Sequence, residues 1–290
     1  IMFKRTMLVL FVLVLAVSLT AKKNKKADEG DQPEEKGKMT ILYPNWAEGI
    51  AVTHLALAAL TDKGYDVTVK PIEPGPIYAS LAKGDAELFL DAWLPHTHAD
   101  YWEKFGDDIV KLGESFSNGT TGLVVPQYVD IDSIEDLKDE EVAKKFDKKI
   151  IGIGSGAGIH GNTEKAIEKY GLPMKQITSS GPAMMASLKK AYDRKNPVVI
   201  TGWKPHFMWA RYDLKYLEDP KGIFPKDVMA ILARKGFKDE FPKAAEFMSN
   251  FNLKETQLYD LMGAVEEGDN PETAAKKWYE DHKVLVNSWW

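Results

Sequence analysis

From residue 38 onward, short apolar runs of strand length alternate with stretches of helical period, and this alternation limits the fold more than any other feature. Strands separated by helices must be joined by crossovers, which produces a mainly parallel sheet with right-handed connections. Residues 40–43, 67–71 and 87–92 read as strands, 47–60 and 77–83 as helices, 101–105 as helical and 109–112 as extended. Gly64 stands where a helix C-terminus favours glycine. A second alternating set follows at 133–137, 140–146, 149–155, 163–170, 176–178, 182–192 and 198–201. Residues 123–129, broken by Pro126, read as the segment crossing between the two sets, and 228–232 as the segment crossing back. Helical periods at 242–251, 254–266 and 271–289 complete the first. The expected organisation is two α/β lobes, 39–124 with 226–290 and 125–225, with a hinge at the base of an interlobe cleft.

The N-terminus carries a different signal. Lys4 and Arg5 precede an uninterrupted apolar run, 7–17, and small residues follow it. This is the pattern of a secretory signal over residues 1–21, and it is short for a membrane span. Removing it deletes two positive charges, Lys4 and Arg5, so the mature chain is more acidic than the formal −5 of the whole. Leu19-Thr-Ala resembles the start of a bacterial lipoprotein signal, but Lys22 stands where the lipidated cysteine belongs. Membrane anchoring through the N-terminus therefore stays open beside simple release. Residues 22–38 hold almost nothing apolar and are expected to be a flexible tether, since they cannot bury enough surface to offset the entropy of ordering.

Three tryptophans share one grammar. Glu87-Leu-Phe-Leu-Asp-Ala-Trp93 is an apolar run cut by Pro95, which cannot continue a ladder. Trp46 follows the strand at 39–43, and Trp203 closes the run that begins at Val198. Open α/β sheets bind ligands at the carboxyl ends of their strands. Trp46, Trp93 and Trp203 are accordingly expected to wall one pocket, whereas Trp102, Trp209, Trp278, Trp289 and Trp290 read as packing residues.

The glycine-rich stretch 151–161 offers two readings. Gly156, Gly158 and Gly161 match the spacing of a dinucleotide-binding loop. The next strand, however, ends in Thr-Ser-Ser-Gly with no carboxylate for a ribose hydroxyl, and a secreted protein has little access to nicotinamide. The second reading keeps only the physics: glycines permit close approach, and the following helix offers free N–H groups to an anionic oxygen. Gly158 and Ile159 are its expected donors.

Paired with an aromatic pocket, an anion site describes a zwitterion. A quaternary ammonium has no N–H to donate, but aromatic faces bind it with ~0.5–2 kcal/mol each when desolvated. Three faces give roughly 2–6 kcal/mol, whereas micromolar affinity needs about 8 kcal/mol, so a carboxylate grip is needed as well. The acidic balance argues against nucleic acid or anionic membrane as partners. With no cysteine, thiol catalysis and thiolate metal sites are absent. His96 and His98 have a spacing that can hold zinc, but no third ligand is placed. No hydrolase elbow is present, so the expectation is a binding protein, without catalytic residues or cofactor.

Four motifs carry a family resemblance: Asn45-Trp-Ala-Glu-Gly-Ile50, Asp91-Ala-Trp-Leu-Pro-His-Thr-His98, Gly156-Ala-Gly-Ile159 and Ile200-Thr-Gly-Trp-Lys-Pro-His206. Together they resemble the glycine-betaine-binding proteins of ABC importers, over residues 39–290. The resemblance implies a two-lobed periplasmic-binding-protein fold of type II-like form, its parallel or mixed sheets flanked by helices and closing on ligand. It further implies a cage of Trp46, Trp93 and Trp203 for the trimethylammonium group, with Gly158, Ile159 and His98 holding the carboxylate. The implied partners are a compatible solute and an ABC permease, and the implied state is a monomer outside the cytoplasmic membrane. Choline, carnitine, proline betaine and dimethylsulfoniopropionate remain alternative ligands; choline needs no carboxylate grip.

Overall fold

The computed structural model describes residues 37–290. The expected signal, 1–21, and all of the expected tether before Gly37 lie outside the described residues. Among them are nine strands: β1 (Lys38–Tyr43), β2 (Asp66–Pro71), β3 (Leu88–Leu94), β4 (Ile109–Pro126), β5 (Lys149–Ile151), β6 (Lys175–Ile177), β7 (Ile200–Lys204), β8 (Leu214–Tyr216) and β9 (Asp227–Arg234). Their order is β2-β1-β3-β9-β4-β7-β5-β6, with β8 on β4. β1 pairs in parallel with β2 and β3, and β5 with β6 and β7. The central pairs, β3 with β9, β9 with β4, and β4 with β7 and β8, are antiparallel. The result is a mixed, two-lobed α/β fold.

The helices are α1 (Ala47–Asp62), α2 (Pro74–Lys83), α3 (Ala99–Phe105), α4 (Glu140–Lys145), α5 (Gly158–Tyr170), α6 (Gly181–Asp193), α7 (Met208–Arg211), α8 (Phe237–Glu240), α9 (Pro242–Asn250), α10 (Glu255–Glu267), α11 (Pro271–Asp281) and α12 (Lys283–Asn287). Local chemistry sets several ends. Gly84 adopts a left-handed φ of 79° at the C-cap of α2, while the side chains of Asp139 and Ser180 accept the free N–H groups opening α4 and α6. α1 is buried almost all round because β3 lies on one side and α10 and α11 cover the other. Every residue of β3 is buried, as expected of a strand inside a covered sheet.

β4 joins the halves. Its residues from Ile109 to Gly119 pair with β9, and those from Thr120 to Val124 pair with β7. The sheets expected of the two lobes therefore share a strand and form one continuous path. Sequence reading leaves 113–122 without an element, because Gly-Glu-Ser-Phe-Ser-Asn-Gly-Thr-Thr-Gly has the composition of a loop. It is a strand because β9 pairs with it as far as Gly119 and β7 from Thr120 onward, and its three register shifts against β9 reflect that composition. The helical period at 271–289 divides into α11 and α12 at His282, whose ring stacks on Trp278 with centroids 3.9 Å apart.

Candidate functional site

β1, β3 and β7 run out toward the same region, and each delivers a tryptophan there. Trp46 is the N-cap of α1 immediately after β1, and Trp93 and Trp203 are each one residue from the ends of β3 and β7. In both latter strands a Trp-x-Pro-His sequence follows, and proline stops the ladder. A small cavity lies between the halves, lined from one side by Trp46, Glu48, Trp93, Thr97 and His98, from the joining strand β4 by Thr121, and from the other side by Ile153, Ala157, Gly158, Ile159 and Trp203. All six residues singled out from sequence thus meet at one cavity. The Trp46 and Trp203 rings are 6.5 Å apart and inclined at 57°, and Trp46 stands 6.1 Å from the His98 ring. Such tilted faces enclose a space without stacking it shut.

His98 is 1 % exposed. Its Nδ1 accepts from the Trp93 backbone N–H (3.1 Å) and lies 3.3 Å from the Tyr78 hydroxyl. A nitrogen that accepts carries no proton, so the neutral ring holds its hydrogen on Nε2. That Nε2 has no protein partner although it is buried. Burial also holds the imidazole down to about 3, so it stays uncharged at neutral pH. The loop that carries it is tied by Asp227 of β9, whose carboxylate accepts from the His96 N–H (2.7 Å), the Thr97 N–H (2.9 Å) and the Thr97 hydroxyl (2.5 Å).

Gly158 opens α5 behind the N-cap Ala157. The N–H groups of Gly158 and Ile159 belong to the first turn, where no intrahelical acceptor exists, and neither donates to another backbone oxygen. A Cβ at Gly158 would overlap the Thr97 carbonyl oxygen from the opposite half, so only glycine allows this approach. Two further bonds cross the cavity edge: the Trp203 indole N–H donates to Glu48 Oε2 (2.9 Å) and the Tyr101 hydroxyl to the Gly156 carbonyl (2.9 Å).

Glu73 lies against the glycine loop, its Oε2 3.1 Å from where a Cβ of Gly156 would stand. His96 is exposed while His98 is buried.

Residues 37–281 match the family described as the substrate-binding domain of the ABC-type glycine betaine transport system. The chain belongs to this family. A glycine betaine/carnitine transport binding protein of Listeria monocytogenes is 36 % identical over 154 residues, 52 % of this chain; the match spans 51 % of that relative's length. Lactococcal OpuAC, in a closed conformation complexed with glycine betaine, superimposes with a TM-score of 0.82 at 35 % identity, over 87 % of this chain and 99 % of its own. The glycine/betaine/L-proline-binding protein ProX of Borrelia burgdorferi gives 0.84 at 30 % identity, over 87 % and 96 %. A choline-binding protein in complex with choline gives 0.80 at 25 % identity, over 89 % and 93 %.

For a glycine-betaine-type binding domain, sequence reading missed Glu48, which lines this cavity, and Asp91, which holds the indole of a lining residue, Trp93. Both are fully buried, and each accepts from an indole: Glu48 from Trp203 and Asp91 Oδ1 from Trp93 Nε1 (2.9 Å). The signal was present as an acid two residues from a tryptophan, in Trp46-Ala-Glu48 and Asp91-Ala-Trp93. On a strand, residues two apart share a face, which brings Asp91 to the N–H edge of the Trp93 ring. Of the five tryptophans read as packing residues, Trp278 and Trp289 are buried in the core and Trp290 stacks on Phe247. Trp209 supports the site indirectly, its indole N–H donating to the Trp203 carbonyl (2.7 Å).

Proposed function

We propose that this chain is the extracytoplasmic binding subunit of an ABC importer for glycine betaine or a closely related quaternary ammonium osmolyte, delivering it to a permease as a monomer. One observation carries the reading: three indoles and three unpartnered N–H donors border the same cavity, from opposite halves of the protein. The indoles suit a diffuse cation. His98 Nε2–H and the Gly158 and Ile159 amides suit a carboxylate, each charge-assisted bond adding roughly 1.5–3 kcal/mol. Together these terms reach the ~8 kcal/mol of micromolar binding. The site takes no cofactor and performs no catalysis.

Residues 39–124 with 226–290 act as one lobe and 125–225 as the other. Ligand contacts to both lobes favour the closed arrangement, which is the differential affinity that closure requires. The structural likeness to betaine-bound and choline-bound proteins supports the ligand class, and the donors favour a carboxylate-bearing member of it. A titration panel of glycine betaine, carnitine, dimethylsulfoniopropionate and choline, followed by calorimetry and tryptophan emission, tests this. Glycine betaine or another carboxylate-bearing ligand should bind at micromolar or better affinity and choline at least tenfold more weakly. Absence of binding by every member would overturn the reading.

A further inference from the structure

Glu48 and Asp91 are buried acids without a cation. Both side chains are 0 % exposed. Glu48 Oε2 and Asp91 Oδ1 each accept one indole N–H, while Glu48 Oε1 and Asp91 Oδ2 have no partner at all. Asp91 Oδ2 lies against α1, where a Cβ on Gly49 would come within 2.6 Å of it. The titratable groups facing the pair are Tyr259 of α10, beside Glu48, and Tyr78 of α2, beside Asp91. Neither is a cation. His98 and His206 near the cavity are held neutral by burial, and neither acid takes part in an ion pair with any of the described residues. Buried carboxyls in this position are ordinarily matched by Lys or Arg. Here Glu48 borders the cavity itself.

We propose that Glu48, with Asp91 behind it, is the counter-charge of the bound cation, and that the pair gives up a proton when the quaternary ammonium enters. This deepens the function proposed above and rests on it. In the empty cavity, burial pushes Glu48 up to about 8 and raises Asp91 well above the usual carboxylate range, with the Glu48 charge adding to the rise. The uncharged form is thus favoured at neutral pH. A fixed positive charge in the cavity reverses that preference at Glu48, which lines it; the O–H bond breaks and the proton passes to solvent. The Trp203 and Trp93 indole N–H groups remain donors to the resulting carboxylates. Linkage is reciprocal, so the ligand must bind more tightly as pH rises toward the value at which Glu48 is already ionised in the empty protein.

Calorimetry of glycine betaine binding at pH 7 in phosphate and in Tris tests this, because the two buffers take up a proton with different enthalpies. The observed enthalpy should differ between them in the sense of proton release. The dissociation constant should fall at least threefold from pH 6 to pH 8. Glu48→Gln keeps an oxygen acceptor for the Trp203 indole but cannot ionise. It should bind more weakly, with an enthalpy equal in both buffers and an affinity flat in pH. Equal enthalpies for the unsubstituted protein, or a buffer difference surviving in Glu48→Gln, would overturn the counter-charge while leaving the ligand assignment standing. Failure of the unsubstituted protein to bind any quaternary ammonium would remove both.

Discussion

A neutral imidazole with one nitrogen committed to the backbone is a directional donor, and His98 is held in that state by the Trp93 N–H and by its own burial. Its free Nε2–H is useful only to an anion, so its loss should fall on the carboxylate end of a ligand. His98→Ala is expected to weaken glycine betaine at least tenfold while changing choline far less, so that the preference for betaine collapses in competition titrations. Trp93→Ala removes an aromatic face that serves any quaternary ammonium. It should weaken every member of the panel at least tenfold, about 1.4 kcal/mol, and unchanged affinity in calorimetry would reject the cage. At this scale much was legible in sequence. A tryptophan after a truncated strand is a conspicuous signal, and glycines ahead of a helix mark possible donors. Glu48 and Asp91 were only half legible: each stands two residues from a tryptophan, but that spacing alone does not tell an acid that faces water from one that faces an indole.

The element that matters most for the site is the loop between β3 and α3, which carries Thr97 and His98. It has no ladder of its own, and Asp227, distant in sequence, replaces one with three hydrogen bonds. Asp227→Ala should leave the strands intact, since the side chain takes no part in the ladder between β9 and β4. It should nevertheless loosen the donor: glycine betaine affinity drops several-fold by calorimetry, with a smaller change for choline. Equal losses for both ligands would mean that the loop shapes the indole cage instead. The periodic helices and the apolar strands of both halves follow from the sequence, since burial of one face leaves a repeating pattern. β4 does not follow, because its middle is polar and glycine-rich and it is extended only by virtue of its two neighbours. No local propensity encodes a strand whose hydrogen bonds are all supplied by distant segments.

At the scale of the whole protein, buried titratable groups oppose one another. His98 and His206 are both held at about 3 by burial. The unfolded chain binds those protons and the folded one does not, so stability falls as pH drops from about 6.5 toward 3. Glu48 works in reverse. It stays protonated in the fold up to about 8 and is ionised above about 4.3 in the unfolded chain, so stability falls as pH rises across that interval. Between pH 6.5 and 8 only the acid slope remains. The melting temperature of the ligand-free protein should therefore decline across that range, and the decline should flatten at saturating glycine betaine. A ligand-free profile without slope would contradict the buried acid. The exposed Arg211–Glu266 pair between α7 and α10 adds little to this, as surface ion pairs are worth about 0–1 kcal/mol.

Gly119, the last residue of β4 to pair with β9, lies opposite Asp227. The residue that anchors the His98 loop therefore stands where β4 passes from pairing with β9 to pairing with β7. An angular change there would reach the imidazole through the His96 and Thr97 bonds to Asp227. On the proposed closure, spreading of the halves would withdraw that proton donor in the same movement, and release of a carboxylate-bearing solute should then follow one exponential.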